Sequence, residues 1–262
     1  ASNFNNELGF SLTILSDARK LYRPISLFWV FVLIRGFIQL FVRSSKYPEV
    51  LVLEYGIDKP GDMDDLVAIA RPDVAVVTAI GEIPAHVEFY AGPKAVAKEK
   101  AKLVKAVSPG GFVILNYDDI TVLDMKTQAR SKVVTFGFME GADVRVFGYE
   151  YSFRDEFPEG ITFKLGYGGG FVPVKMRGVF GRAQAYAVAA AAAVGLALDA
   201  NLVSIAESMA GYKTPPGRMR LIPAMKGALI LDDSYNASPL SMRAALETLK
   251  DLPPKRKIAV LG

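Results

Sequence analysis

The 262-residue sequence predicts an α/β fold: a mostly parallel sheet flanked by helices, a small antiparallel excursion, and the start of a second α/β unit beyond about Lys213. Three observations predict it. Short apolar, β-branched runs alternate with helical periodicity through residue 138, the pattern of parallel strands joined by helices. Residues 143–178 then alternate apolar and polar, with glycine-rich turns, as antiparallel strands do. Finally, KTPPGRM (213–219) punctuates the chain before a strand–helix–strand pattern that reads as a βαβ unit. Half the residues are apolar, 51%, which is enough for one or two domains with a large core. There is no cysteine, which excludes disulfides and thiolate metal sites. The net charge of +4 is mild and the lysines are scattered. Without a basic tract interleaved with aromatics, no nucleic-acid partner is indicated.

In chain order, NFNNELGFSLTIL (3–15) opens with three asparagines. Asparagines cluster in turns and caps, or form a polar loop against a ligand. The run ISLFWVFVLIRGFIQLFV (25–42) is the most hydrophobic stretch. It is barely long enough to span a bilayer, and Arg35, Gly36 and Gln39 interrupt its second half. Basic residues flank it: Arg19, Lys20 and Arg23 before, Arg43 and Lys46 after. The preferred reading is a helix lying on a membrane surface, ahead of a hairpin packed on protein and ahead of a spanning helix. EVLVLEYG (49–56) reads as a buried strand. Its Glu54 stands at the strand end before Gly56, where a carboxylate is either a solvated end or a metal or substrate ligand. A helix follows in IDKPGDMDDLVAIA (57–70), with Asp62, Asp64 and Asp65 suited to its N-terminal dipole.

The next stretch, 74–107, carries the most chemistry. Val74 to Ile80 is a short strand, and His86, the only histidine, lies in the loop beyond its carboxyl end, where open α/β sheets bind ligands. On a helix over 92–107 at about 100° per residue, Pro93, Val96, Ala97, Leu103, Val104 and Val107 form one apolar stripe with Lys100 at its centre. Lys94, Lys98, Lys102 and Lys105 fall on the opposite, solvated face. Desolvation lowers the pKa of an inward lysine. It can pair with a buried carboxylate, it can snorkel, or as a neutral amine it can take up carbon dioxide to form a carbamate, a carboxylate-like metal ligand.

GGFVILNYDD (110–119) is a strand with a polar end, and KVVTFGF (132–138) is another. GYGGG (166–170) lacks the lysine and helix start of a phosphate loop and reads as a hairpin turn. GRAQAYAVAAAAAVGLALD (181–199) is an alanine-rich buried helix whose small side chains allow close packing, and a second helix spans 201–211. Strands at 227–232 and 256–261 enclose a helix at 239–250. The loop between the first strand and that helix holds Asp232, Asp233, Tyr235 and Asn236. Turn formation and capping explain Ser238 and Pro239 without needing two aspartates and an asparagine.

Taken together, NFNNELG, LEYGIDKPGD, AHVEFYAGPKAVAKEK, Gly181-Arg182, PPGRM and DDSYNASPLSMRAAL resemble the Mur ligases, ATP-dependent enzymes that add amino acids to the peptidoglycan precursor. DDSYNAS followed by SMRAAL is most like the branch that adds D-alanyl-D-alanine to a UDP-N-acetylmuramoyl-tripeptide. The resemblance implies a central ATP-binding domain over 1–213, with an apolar insertion at about 17–48, and the start of a Rossmann-like C-terminal domain over 214–262. It implies that Glu54, His86 and a carbamylated Lys100 hold Mg2+. Arg218 would contact the ATP phosphates and Asp233 the ribose, with Asn236 at the same site, and Gln184 would face the adenine. Asn5 and Asn6 would touch the UDP-linked substrate. Lys100, His86 and Arg218 are then the catalytic candidates. A cytoplasmic monomer is expected, peripheral at the inner membrane face if residues 25–42 bind lipid.

Three departures stand beside the resemblance. The family's phosphate loop is absent, so truncation at the N-terminus is expected, and the chain alone is expected to be inactive. The family's GRHN is here GRAQ, with Ala187 where a further asparagine is usual. Residues 17–48 are longer and more apolar than the family's usual link. A related ligase, such as another Mur enzyme or a folylpolyglutamate synthase, and a catalytically silent membrane-tethered scaffold are the alternatives.

Overall fold

The computed structural model describes residues 7–15, 30, 34, 36–38, 47–155, 157–253 and 256–261. The strands are β1 (Val74–Val77), β2 (Phe112–Asn116), β3 (Lys132–Gly137), β4 (Val144–Arg154), β5 (Phe157–Tyr167), β6 (Gly170–Arg177), β7 (Arg220–Pro223) and β8 (Leu229–Asp232). The helices are α1 (Glu7–Leu15), α2 (Asp62–Ile69), α3 (Pro93–Ala106), α4 (Ile120–Leu123), α5 (Arg182–Ala197), α6 (Leu202–Ala210) and α7 (Pro239–Asp251). Strands β1 to β6 form one sheet in sequence order, parallel from β1 to β4 and antiparallel from β4 to β6. This is the mostly parallel sheet with an antiparallel excursion that the alternation predicts. Strands β7 and β8 pair in a separate two-stranded sheet.

The parallel strands are buried on both faces, as a sheet covered by helices must be. Val113 and Leu115 of β2 pack in one cluster with Met63 of α2 and with Val96 and Val104 of α3. Ile114, between them, packs in the other with Ala185, Ala189 and Ala193 of α5. The alanine run therefore does what its small side chains permit, bringing α5 close to the sheet. Between β5 and β6, Gly168 (φ +59°) and Gly169 (φ +83°) both take positive φ. That is the two-residue turn whose twist suits a hairpin, so GYGGG is a turn here.

Two runs read as strands are not strands. Residues 49–56 find no ladder partner among the described residues, and Val52 is 87% exposed. Only the end of that run turns inward. The Tyr55 hydroxyl donates to Ala70 O at 2.8 Å, and Ile57 joins the cluster beneath β1. Residues 256–261 are likewise unpaired, with Ile258, Val260 and Leu261 exposed, so the second unit is a β7–β8 hairpin with α7 rather than a closed βαβ. A β-branched run forms a strand only where a neighbouring edge takes up its backbone groups.

Most of 25–42 lies outside the described residues. Val30, Ile34, Gly36, Phe37 and Ile38 are helical, and Val30, Ile34, Phe37 and Ile38 are more than half exposed. Among the described residues no helix is long and apolar enough to cross a membrane.

Candidate functional site

The carboxyl ends of β1, β2 and β3 are tied together by the polar end of β2. Asn116 Nδ2 donates to Thr78 O at 2.7 Å, and Asn116 Oδ1 accepts from Asp118 N at 2.9 Å. Asp119 caps α4, accepting from Val122 N at 3.1 Å. Its second oxygen accepts from the amides of Ile80 and Gly81 at 2.8 and 3.0 Å. Asp118 accepts from Phe138 N (2.7 Å), Met139 N (3.1 Å) and the Tyr186 hydroxyl of α5 (2.6 Å). A Cβ at Gly137 would lie 2.3 Å from Asp118 Oδ1, so glycine is what lets the carboxylate approach.

Lys100 lies half-buried on α3. Burial lowers its pKa, and the field of Asp119 works in the opposite direction. The apolar stripe holds at Val96, Leu103, Val104 and Val107, whereas Pro93, at the first helical position, is exposed. Of the lysines placed on the outer face, Lys94, Lys98 and Lys105 are exposed. Lys102 departs from that reading: it pairs with Glu99 at 2.8 Å and Asp64 at 2.6 Å.

His86 opens the turn Val87–Phe89 in a left-handed conformation (φ +62°). Its ring stacks on Phe89 at 6.4 Å, and Nε2 lies 3.5 Å from Asp58 Oδ1. Asp58 belongs to the loop that follows Glu54, and Asp62 Oδ2 shapes this loop by accepting from Asp58 N (2.8 Å) and Lys59 N (2.9 Å). Glu54 itself is exposed. Among the described residues no three His, Asp or Glu groups converge as a metal site. Glu54, His86 and Lys100 thus stand on three separate elements.

The second unit brings Arg218 and Asp233 together. The PPGRM and DDSYN loops are laced by Gly217 N to Asp232 Oδ2 (3.1 Å), Met219 N to Asp233 Oδ1 (3.0 Å) and Tyr235 N to Gly217 O (3.1 Å). Gly217 has φ +73°, and a Cβ there would sit 3.0 Å from Tyr235 N, so the turn needs glycine twice over. The Arg218 guanidinium lies over the Tyr235 ring at 4.2 Å. Burial raises the Asp233 pKa, against the Met219 amide and the Arg218 charge. Asn236 Oδ1 accepts from the neighbouring Ala237 N at 2.9 Å. Gln184 occupies the first turn of α5 and is half-buried. A Cβ at Gly181, where that helix begins, would lie 2.8 Å from Met219 Cε, so the turn abuts the Arg218 loop. Asn5 and Asn6 lie outside the described residues.

A family model of the Mur ligase middle domain matches residues 36–195, and one of the Mur ligase glutamate ligase domain matches 217–262. The chain belongs to the Mur ligase family. It is 29% identical over 260 residues to the UDP-N-acetylmuramoyl-tripeptide–D-alanyl-D-alanine ligase of Mycobacterium leprae, covering 94% of this chain and 44% of that one. The crystal structure of MurF from Acinetobacter baumannii superposes with a TM-score of 0.74 at 24% identity, over 96% of this chain and 47% of that one. MurF from Thermotoga maritima in complex with ADP gives a TM-score of 0.71 at 24% identity, over 94% and 54%. The chain spans about half the length of the curated relatives it matches.

Several residues that the fold brings around this candidate site carry little signal in the sequence. Asp118 and Asp119 were visible only as a polar strand end. Asp58 and Glu99 fall in helix-start and lysine-rich contexts that suggest solvated charges. Arg182, whose guanidinium lies 3.9 Å from the Phe138 ring centre, was seen only as half of a two-residue motif.

Proposed function

We propose that this chain forms the central part of an ATP-dependent amide ligase that joins D-alanyl-D-alanine to a UDP-linked muramoyl tripeptide. The observation that carries the proposal is the match of the Mur ligase middle domain to residues 36–195 and of the glutamate ligase domain to 217–262, on a fold that leaves Lys100 half-buried on α3. The names of the curated relatives supply the substrates. In this reading the tripeptide carboxylate attacks the γ-phosphate of ATP, releasing ADP and leaving an acyl phosphate. The dipeptide amine then displaces phosphate from that carbonyl. Arg218, already beside Asp233, sets a guanidinium against the phosphates. Asp233 and Asn236 meet the ribose side, Gln184 the adenine, and Asn5 and Asn6 the UDP-linked substrate. The division near Lys213 is supported by the separate β7–β8 sheet.

The donor set suits a hard divalent cation. Glu54 and His86 are exposed for ligation, and a lysine whose ammonium is disfavoured is suited to carbamylation, which supplies oxygens. Glu54, His86 and carbamylated Lys100 would hold Mg2+, which would neutralise the two anionic reactants and align them.

The test is phosphate release by the full-length gene product with ATP, Mg2+, UDP-N-acetylmuramoyl-tripeptide and D-alanyl-D-alanine. Release that needs both substrates is expected. Release with another acid substrate would point to a related ligase, and failure to bind ATP would favour a silent scaffold, the reading that GRAQ and Ala187 keep open.

Membrane-surface contact through 25–42 is part of the proposal. It is supported by the exposed helical Val30, Ile34 and Ile38 and by the basic flanks from Arg19 to Lys46, which suit an anionic lipid surface. Co-sedimentation with anionic liposomes is expected for the wild type and lost on deletion of 25–42. Equal binding by both would remove this part.

A further inference from the structure

We infer that Glu99 is a positioning residue for the Lys100 centre, a role that rests on the metal reading above. Glu99 is the residue before Lys100, and its side chain is only 5% exposed, the placement of a structural acid rather than a solvated one. Its Oε1 accepts from Gly61 N at 3.0 Å and Met63 N at 3.2 Å. Gly61 precedes α2 in a left-handed conformation (φ 102°) and can offer no side-chain cap. The amide just before α2 and one amide of its first turn are therefore satisfied from another helix, by a carboxylate on α3. The other oxygen, Oε2, meets Lys102 at 2.8 Å, and Lys102 also holds Asp64 of α2 at 2.6 Å. These bonds clamp α3 to the start of α2.

The clamp leads directly to the proposed ligands. The loop from Glu54 to α2 ends at Gly61, whose amide Glu99 holds together with that of Met63 in the first turn of α2. Within that loop Asp62 fixes the amides of Asp58 and Lys59, and Asp58 reaches His86 at 3.5 Å. A continuous path of polar contacts thus joins the helix of Lys100 to the turn of His86 through the loop that follows Glu54. Lys100, His86 and Glu54 stand on three elements that share no ladder, so their spacing depends on such ties. Glu99 acts through backbone amides and touches no reacting atom. Glu99→Gln keeps an acceptor oxygen for both amides, and Lys102 retains Asp64. Glu99→Ala removes the cap.

The experiment uses the full chain and Mn2+ as probe, with binding read from the electron paramagnetic resonance of the free ion. Hydrogen exchange of the 58–63 amides is followed in parallel. Met125→Ala serves as a control of matched stability loss, because Met125 packs in the same core cluster through an apolar side chain that forms none of the hydrogen bonds and ion pairs of the clamp. Glu99→Ala is expected to weaken Mn2+ binding by about tenfold or more, as losses behind a ligand shell do, and to speed exchange at Gly61 and Met63. Glu99→Gln is expected to stay within about threefold of wild type, well inside that range. Met125→Ala at equal melting temperature should leave Mn2+ affinity unchanged. Equal weakening by Met125→Ala would reduce Glu99 to general stability and overturn the inference. So would wild-type affinity in Glu99→Ala. A wild type that binds no Mn2+ would instead overturn the metal reading itself, and the inference with it.

Discussion

Lys100→Ala is expected to lower ATP-dependent phosphate release by the full-length gene product by roughly 10³-fold, because a centre that organises charge in phosphoryl transfer contributes several kcal/mol. The ammonium form cannot supply that contribution: it repels a divalent cation and offers no oxygen. The amine form can, after uptake of carbon dioxide, and burial on α3 moves Lys100 towards the amine. Formate or acetate should then partly restore Lys100→Ala by placing a carboxylate where the proposed carbamate would stand. Wild-type activity should also rise with added bicarbonate, and the variant should not respond. A variant with full activity would remove Lys100 from the mechanism.

Stability gives a second, independent reading of the same residue. Lys100 has a lower pKa in the folded chain than the ordinary 10.5. Where folded and unfolded states are both protonated, that difference weakens the fold. As pH climbs from the folded pKa towards 10.5, the unfolded state holds the extra proton and stability recovers. Lys100→Met should therefore melt higher than wild type at neutral pH without bicarbonate, and the advantage should shrink at alkaline pH. A constant advantage across that range would mean that packing, not charge, sets the difference.

How much of this was legible in the sequence follows from what each signal encodes. Lys100 was legible because helical periodicity is a local property, and one charged side chain on an apolar stripe stands out without any tertiary knowledge. The Arg218–Asp233 bracket was legible as two glycine- and aspartate-rich loops beside strands, and the resemblance paired them. Glu99 was not legible: it shares its helix with five lysines and looks like one more solvated charge. What buries it is a backbone turn at Gly61, 38 residues earlier in sequence. The runs 49–56 and 256–261 failed for the related reason that a strand is a property of two segments, and periodicity describes only one.

Asp118 makes the strongest case for contacts that only the fold reveals, and Asp118→Ala is expected to destabilise the chain by about 3 kcal/mol, or roughly 6–12 °C in Tm. The carboxylate gathers three donors from distant parts of the chain: the amides of Phe138 and Met139 beyond β3, and the Tyr186 hydroxyl on α5. Truncation leaves all three without their acceptor beside a cavity. Asp118→Asn keeps the volume but replaces one acceptor oxygen with a donor, so it should recover only part of the loss. Tyr186→Phe removes one donor and leaves the two amide bonds, so about 1 kcal/mol is expected. In the double variant the two losses should fall short of their sum, because the Tyr186 bond is counted in both. The consequence reaches Gln184, which the proposed function sets against the adenine. Tyr186 packs on Phe138 at 4.7 Å, and the Arg182 guanidinium covers that ring at 3.9 Å, two residues before Gln184. Releasing Tyr186 frees the first turns of α5, so Asp118→Ala should raise the KM for ATP more than it lowers kcat at temperatures well below its melting point. Thermal melts and ATP titrations of the three variants would check both parts. A KM unchanged in Asp118→Ala would confine this residue to holding β2, β3 and α5 together.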